Sequence, residues 1–154
     1  MPTTKMPPTF QEKDLNYYLR MIRTDYSKLE ELQPQKTGGS SHVKNVVIVF
    51  TSDHIGSDKK MLGKKLLMHF LQALINGNTK PKAIILLNGG VQLACSSNET
   101  ISKLTVLEEQ GAKIMACISS LQEYSCLEKL SVGFEASMEE ICETMMSALK
   151  VITF

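Results

Sequence analysis

The stretch VVIVFTSDHIGSDKKMLGKKLLMHFLQALING, residues 46–77, decides the fold. Its first five residues, 46–50, are an unbroken apolar run rich in β-branched side chains, as a strand covered on both faces requires. TSDHIGSD (51–58) is a polar turn. Residues 59–77 then follow a helical period, with Leu62, Leu66, Phe70 and Leu74 on one face and Lys60, Lys64 and Lys65 on the other, and Asn76-Gly77 supplies a stop. A buried strand that passes through a short turn into an amphipathic helix opens a strand–helix–strand unit.

The same alternation continues downstream. AIILL (83–87) is a second buried strand ending in Asn88-Gly89-Gly90, and residues 97–111 form a helix with Ser97 or Asn98 as cap and Gly111 just past its end. KIMAC (113–117) is a third strand, 121–130 a short helix and SVGFE (131–135) a short fourth strand. Ser137 with Glu140 three residues on has capping-box spacing and opens a helix over 137–150, and VITF (151–154) closes the chain as a last strand. Alternation with short loops implies parallel pairing through right-handed crossovers. The expected architecture is an α/β protein, a three-layer α/β/α sandwich around a mostly parallel sheet of about five strands, spanning 43–154.

Upstream, residues 1–42 read as an extension. Residues 1–9 hold three of the five prolines and have the composition of a disordered lead. Residues 10–32 carry Leu15, Tyr18, Leu19, Ile22, Tyr26 and Leu29 at helical spacing, with Asp14 as a possible cap, and QPQKTGGSSH (33–42) is a linker.

Composition narrows the function classes. Among 154 residues, 43% are hydrophobic and 21% charged, and 17 Lys+Arg against 16 Asp+Glu leave a net charge of +1, so neither nucleic acid nor an anionic membrane surface is an expected partner. With no Trp and 6% aromatics, a stacking platform for single strands is excluded. There is no signal-peptide pattern and no membrane-spanning run, so a soluble cytoplasmic protein is expected. Cys95, Cys117, Cys126 and Cys142 form no CxxC pair, and His42, His54 and His69 do not stand at zinc-finger spacing from them. No metal site is expected, and a reducing compartment keeps the four as thiols.

In an open parallel sheet the ligand crevice lies beyond the carboxyl ends of the strands. Three loops reach it: Thr51 to Ser57, Asn88 to Ser96, and Cys117 to Ser120. The expected crevice therefore holds Thr51, Ser52, Asp53, Asn88, Gly89, Cys95, Ser119, Ser120 and Tyr124, with His54 nearby as a proton carrier and Lys59, Lys60, Lys64 and Lys65 as a solvated or anion-attracting face. Six residues separate Gly56 from Gly63 and no Ser or Thr follows Lys64, so this is no P-loop; Asn88-Gly89-Gly90 lacks dinucleotide spacing. A flavin loop would need a run of Ser and Thr after Thr51 and Ser52, which is missing; no cofactor is expected. Cys117, the last residue of the third strand, precedes a helix whose N-terminal donors would favour its thiolate. The competing reading is a buried strand-end Cys that only packs. Cys126 and Cys142 read as structural.

From Val46 onward the chain resembles the DsrE/DsrF-like family, most closely the C-terminal domain of its YedF group, which is associated with selenium metabolism and described as sulfurtransferase-like. The resemblance covers about two-thirds of the chain and is carried by residues 46–74, PKAIILLNGGVQLA (81–94), LEEQGAKIMAC (107–117) and EKLSVG (128–133). It implies the same three-layer sandwich, assembly as a homo-oligomer (trimer or hexamer), and relay of sulfur as a persulfide, with Cys117 as the catalytic acceptor between donor and acceptor proteins. Where the YedF loop reads C-G-T-C-L-x-x-Y, this chain has Cys117-Ile118-Ser119-Ser120-Leu121-Gln122-Glu123-Tyr124, so Ser120 replaces the second thiol. The family's upstream Cys-Pro-x-Pro domain has no counterpart in residues 1–42, which contain no Cys. Two functions follow: a sulfur or selenium carrier acting through Cys117, or a non-catalytic oligomeric scaffold or small-ligand binder using the same crevice.

Overall fold

The structure, a computed structural model, describes residues 42–154; the extension read over 1–42, with its helix, lies outside the described residues but for the backbone of His42. Five strands, β1 (His42–Phe50), β2 (Thr79–Leu86), β3 (Lys113–Cys117), β4 (Phe134–Ala136) and β5 (Lys150–Thr153), alternate with helices α1 (Lys60–Asn76), α2 (Asn98–Glu109), α3 (Ile118–Glu123) and α4 (Met138–Met146). Every pairing is parallel and the strand order is β4-β3-β2-β1-β5.

The period of two along each strand sorts the core into two layers. Ile48, Phe50, Ile84, Leu86, Ile114 and Ala116 meet Leu67 and Leu71 of α1, Leu104 and Leu107 of α2 and Leu121 of α3. Val47, Val49, Ala83, Ile85, Met115, Cys117 and Ala136 of β4 point the other way, against Ile141 of α4. Topology explains the uneven layers. From β1 to β4 the chain crosses the sheet in one direction, so right-handed crossovers put α1, α2 and α3 on one face. The return from β4 to β5, beyond β1, reverses direction and puts α4 on the other.

Local chemistry fixes the element ends. The capping box forms: the Ser137 N–H donates to Glu140 Oε2 at 2.8 Å, and the Glu140 N–H to Ser137 Oγ at 3.3 Å. Gly111 ends α2 at φ +100°, a left-handed conformation that favours glycine. At the end of α1, the buried Lys80 of β2 donates to the carbonyls of Leu74, Ile75 and Gly77 at 2.7, 2.6 and 2.6 Å. These are helix-end acceptors that would otherwise have no partner. Residue Phe154 is anchored by its ring, 5.5 Å from Phe50 and 4.9 Å from Phe70 between centroids, and by its N–H, which donates to the Val49 carbonyl at 2.9 Å.

Several details differ from the sequence reading. The buried face of α1 is Gly63, Leu67 and Leu71, while Leu62 and Leu66 are exposed. Gly63 decides this rotation, because a Cβ there would stand 2.5 Å from the Ile55 carbonyl oxygen. Residues Asn88–Ala94, read as a turn, form a 3-10 segment. The helix expected over 121–130 is α3, which starts at Ile118 directly after β3, followed by a separate 3-10 turn at Leu127–Lys129. β1 begins at His42, the last residue of the expected linker. Among the described residues no helix is long and apolar enough to cross a membrane.

Candidate functional site

At the carboxyl edge of the sheet, the residues after β1, β2 and β3 are bonded into one rim. Thr51 sends both its N–H (2.9 Å) and its hydroxyl (2.7 Å) to the Phe154 carbonyl. Beside it the Leu87 N–H donates to the Phe50 carbonyl at 2.9 Å. Asn88 sits at φ +47°, a left-handed conformation Asn tolerates, and its N–H donates to Ser120 Oγ at 2.9 Å. The Tyr124 hydroxyl donates to Asn88 Oδ1 at 2.9 Å. Gly89 lies in ordinary contact with both loops: a Cβ on it would stand 3.5 Å from the Tyr124 hydroxyl oxygen and 3.6 Å from Ser52 Cα. Gly90 is tighter, since its Cβ would fall 2.1 Å from the Phe50 carbonyl oxygen. Thr51, Ser52, Asn88, Gly89, Ser120 and Tyr124 thus come together on one rim.

Asp53 organises the next step outward. Its Oδ1 lies 2.8 Å from His54 Nδ1, and its Oδ2 lies 3.2 Å from Lys64 Nζ and 3.4 Å from Lys60 Nζ. The Asp53 side chain is only 17% exposed, whereas Lys60 and Lys64 are 61% and 49% exposed. Burial pushes the Asp53 carboxyl up, but the His54 and Lys64 hydrogen bonds and the two lysine charges outweigh it and hold the pKa below its ordinary value. The Ser52 hydroxyl turns back to the His54 carbonyl. It therefore does not form a Ser–His nucleophile pair.

Beside Asp53 opens a cleft of about 270 Å³, lined by Asp53, Lys64, Met68, Gln92, Ser96 and Thr100 among others. Thr100 is buried and commits its hydroxyl to the Leu93 carbonyl at 2.7 Å, with the Ser97 carbonyl at 3.0 Å, which joins the 3-10 segment to the start of α2. The sequence reading had Asp53 and the Asn88–Ser96 loop but missed Gln92, Thr100 and the role of Lys64. A lysine one turn into α1, following an Asp-bearing loop, was the available signal.

The cysteines fall elsewhere. Cys117 is 2% exposed, with its side chain in the aliphatic layer under α4. Strand parity sends it there together with Met115, away from the cleft, which opens on the opposite face. The expectation of an open, helix-supported thiol at this position is not met: α3 has only six residues and Cys117 makes no side-chain cap to it. Cys95, expected in the crevice, turns instead toward Cys126, whose carbonyl its sulfur meets at 3.7 Å. Burial, then the neighbouring Cys126 thiol, pushes the Cys95 thiol up to about 12, against a smaller opposing pull from Lys129. Ser119 is exposed at the first turn of α3, and Cys142 is exposed on α4. Among the described residues no group of three or more His, Cys, Asp or Glu side chains is placed to hold a metal ion.

No protein-family model and no curated protein matches the sequence. Several solved structures resemble the fold, two of them as follows. One is the ychN protein from E. coli, at 18% identity and a TM-score of 0.49, over 72% of this chain and 99% of that one. The other is BT1422 from Bacteroides thetaiotaomicron, a conserved protein of unknown function, at 16% identity and a TM-score of 0.51, over 71% of this chain and 95% of that one. The likeness is one of architecture: it shows the fold of the described residues, a parallel five-stranded sheet flanked by helices.

Proposed function

We propose that this chain acts as a small-ligand-binding protein of DsrE/DsrF-like fold, taking a small polar molecule in the cleft beside Asp53. The observation that carries the reading is the separation of chemistry from cavity. The cleft is lined by hydroxyl, amide and charged groups together with Leu67, Met68 and Leu93, while the sulfur on which the relay reading depends is sealed on the opposite face of the sheet. A volume of about 270 Å³ lies just below the roughly 300–1,000 Å³ of drug-sized pockets, which favours an amino-acid-sized molecule over a flavin or dinucleotide. Lys64 with Asp53, and Glu99 on the opposite wall, offer both signs of charge to such a ligand.

The test is titration of the isotopically labelled protein, followed by NMR, with free amino acids, inorganic phosphate and thiosulfate at millimolar concentration. Binding at this site shifts the amides of Asp53, Gln92, Ser96 and Thr100 together and saturates. If none of these probes shifts them, or if the shifts lie elsewhere, the reading fails.

A second reading, sulfur relay through Cys117, is favoured by one feature of the topology. The connection leaving β3 goes to one face and that leaving β4 to the other, so the switch point of the sheet lies between Cys117 and its neighbour Ala136. For Cys117 to accept a persulfide there, α4 must move off the sulfur. Treatment with a low-molecular-weight persulfide separates the readings: a sulfur adduct retained on Cys117 of the folded protein supports relay, and an unmodified Cys117 supports the ligand binder.

A further inference from the structure

Two cysteines that the crevice does not use stand against each other on the α1–α3 side of the sheet. Cys95 follows the 3-10 segment Asn88–Ala94, and Cys126 follows α3. Their chain segments are tied together by a main-chain bond, from the Ser131 N–H to the Ala94 carbonyl at 3.0 Å. The Cys95 sulfur lies 3.7 Å from the Cys126 carbonyl, and the neighbouring Cys126 thiol helps to push the Cys95 pKa up. Both pack in the same apolar cluster, Cys95 partly exposed and Cys126 3% exposed. Cys117 is screened from both by the sheet itself, since it belongs to the other layer.

We propose that Cys95 and Cys126 are a reversible disulfide site, closed by thiol–disulfide exchange with a low-molecular-weight disulfide. The partly exposed Cys95 enters first: its thiolate attacks one sulfur of the small disulfide, forms a mixed disulfide and releases one thiolate. The Cys126 thiol then loses its proton, attacks the Cys95 sulfur and expels the second small thiolate. One protein S–S bond forms, the two protein thiols together lose two electrons and two protons, and one small disulfide becomes two thiols. Closure brings the two sulfurs to the roughly 2.05 Å of an S–S bond. Because the unreacted Cys95 is held as the protonated thiol, entry at neutral pH is slow, and exchange is read over hours in mildly alkaline buffer. The closed bridge would staple the 3-10 segment carrying Asn88 and Gln92 to the turn that follows Ser120 and Tyr124. This site stands independently of what occupies the cleft.

The experiment uses the full chain carrying Cys142→Ser, which removes the exposed thiol, incubated with oxidised glutathione at about pH 8.5, near the unperturbed cysteine pKa. Cleavage after lysine and glutamate places Cys95 in 83–99, Cys117 in 114–123 and Cys126 in 124–128, so each pairing is distinguishable. The expected product is 83–99 linked to 124–128 and freed by reductant. In the added variant Cys126→Ala, glutathione should stay on Cys95 as an unresolved adduct. A stable glutathione adduct on Cys95 with Cys126 present, a link from Cys95 to Cys117, or unmodified thiols at a time when the unfolded chain is fully oxidised would each overturn the proposal.

Discussion

The Tyr124 hydroxyl reaches across the carboxyl edge of the sheet to Asn88 Oδ1, 36 positions away in sequence, at 2.9 Å. The same Asn88 gives its main-chain N–H to Ser120 Oγ. One residue with a left-handed backbone thus holds the connection after β2 against α3 through both its main chain and its side chain. Tyr124→Phe should cost about 1 kcal/mol, the net worth of one hydrogen bond to a partly exposed group. Chemical denaturation would read this as a lower midpoint with an unchanged slope. A cost above about 3 kcal/mol, the upper end for an unsatisfied buried group, would mean that the ring does more than hold Asn88.

Lys80 is the buried cation of the described core, and its ammonium bonds three carbonyls at the end of α1. Replacing it with methionine keeps most of the volume and strands those acceptors. Lys80→Met is expected to lose about 2–4 kcal/mol in urea unfolding. A loss under about 0.5 kcal/mol, the level of an ordinary surface substitution, would show that water takes over the carbonyls.

Asp53 gives the fold an acid-sensitive contribution. Its folded pKa lies below the value of the unfolded chain, so the ionised carboxylate stabilises the fold above about pH 4. That stabilisation disappears as pH falls through the lower folded pKa. Asp53→Asn should therefore be less stable than the parent near neutrality, and the two stability curves should converge in acid. Since both lysine partners are well exposed, the gap at neutral pH should stay near or below about 1 kcal/mol. Curves that run parallel from pH 7 down to about pH 3, well below the unperturbed Asp value, would contradict the ion-pair account.

Gly90 has no room for a methyl group, because the nearest atom is main chain rather than a movable side chain. Gly90→Ala should cost at least about 1–3 kcal/mol, the usual range for overpacking, and should shift amide signals of both Phe50 and Asn88. An unperturbed spectrum for this variant would mean that the two connections are less tightly joined than the structure shows.

Thiol reactivity should follow burial. With iodoacetamide, Cys142 is expected to react first and Cys95 slowly, while Cys117 and Cys126 become labelled only as fast as the protein opens. Rapid labelling of Cys117 in the folded protein would reverse the order of the two functional readings.

How much of this was legible in the sequence follows from what each residue pattern encodes. Apolar β-branched runs such as 46–50 and 83–87 mark strands covered on both faces, so the parallel α/β/α architecture could be read directly. The rotation of α1 could not. Its run from Met61 to Leu71 is apolar on more than one face, and a close approach between Gly63 and the Ile55 carbonyl, absent from any hydrophobic pattern, chooses which face is buried. The rim of Thr51, Ser52, Asn88, Gly89, Ser120 and Tyr124 was legible because strand ends and turn residues locate it. The state of Cys117 was not, because its position at the end of β3 says nothing of which face the side chain takes. That depends on the register of five residues, Lys113–Cys117, and on a helix, α4, that arrives twenty residues later.

The strand order carries a consequence for biosynthesis. β1, the first described strand, is flanked by β2 on one side and by β5, the last, on the other. While the ribosome is still making the chain, the backbone of residues 46–49 on that second side has no hydrogen-bonding partner until residues 150–153 emerge. A nascent chain of this fold therefore presents an open, strongly β-prone seam for most of its synthesis, and such seams invite intermolecular pairing. The late addition of β5 is the step that pairs this side of β1.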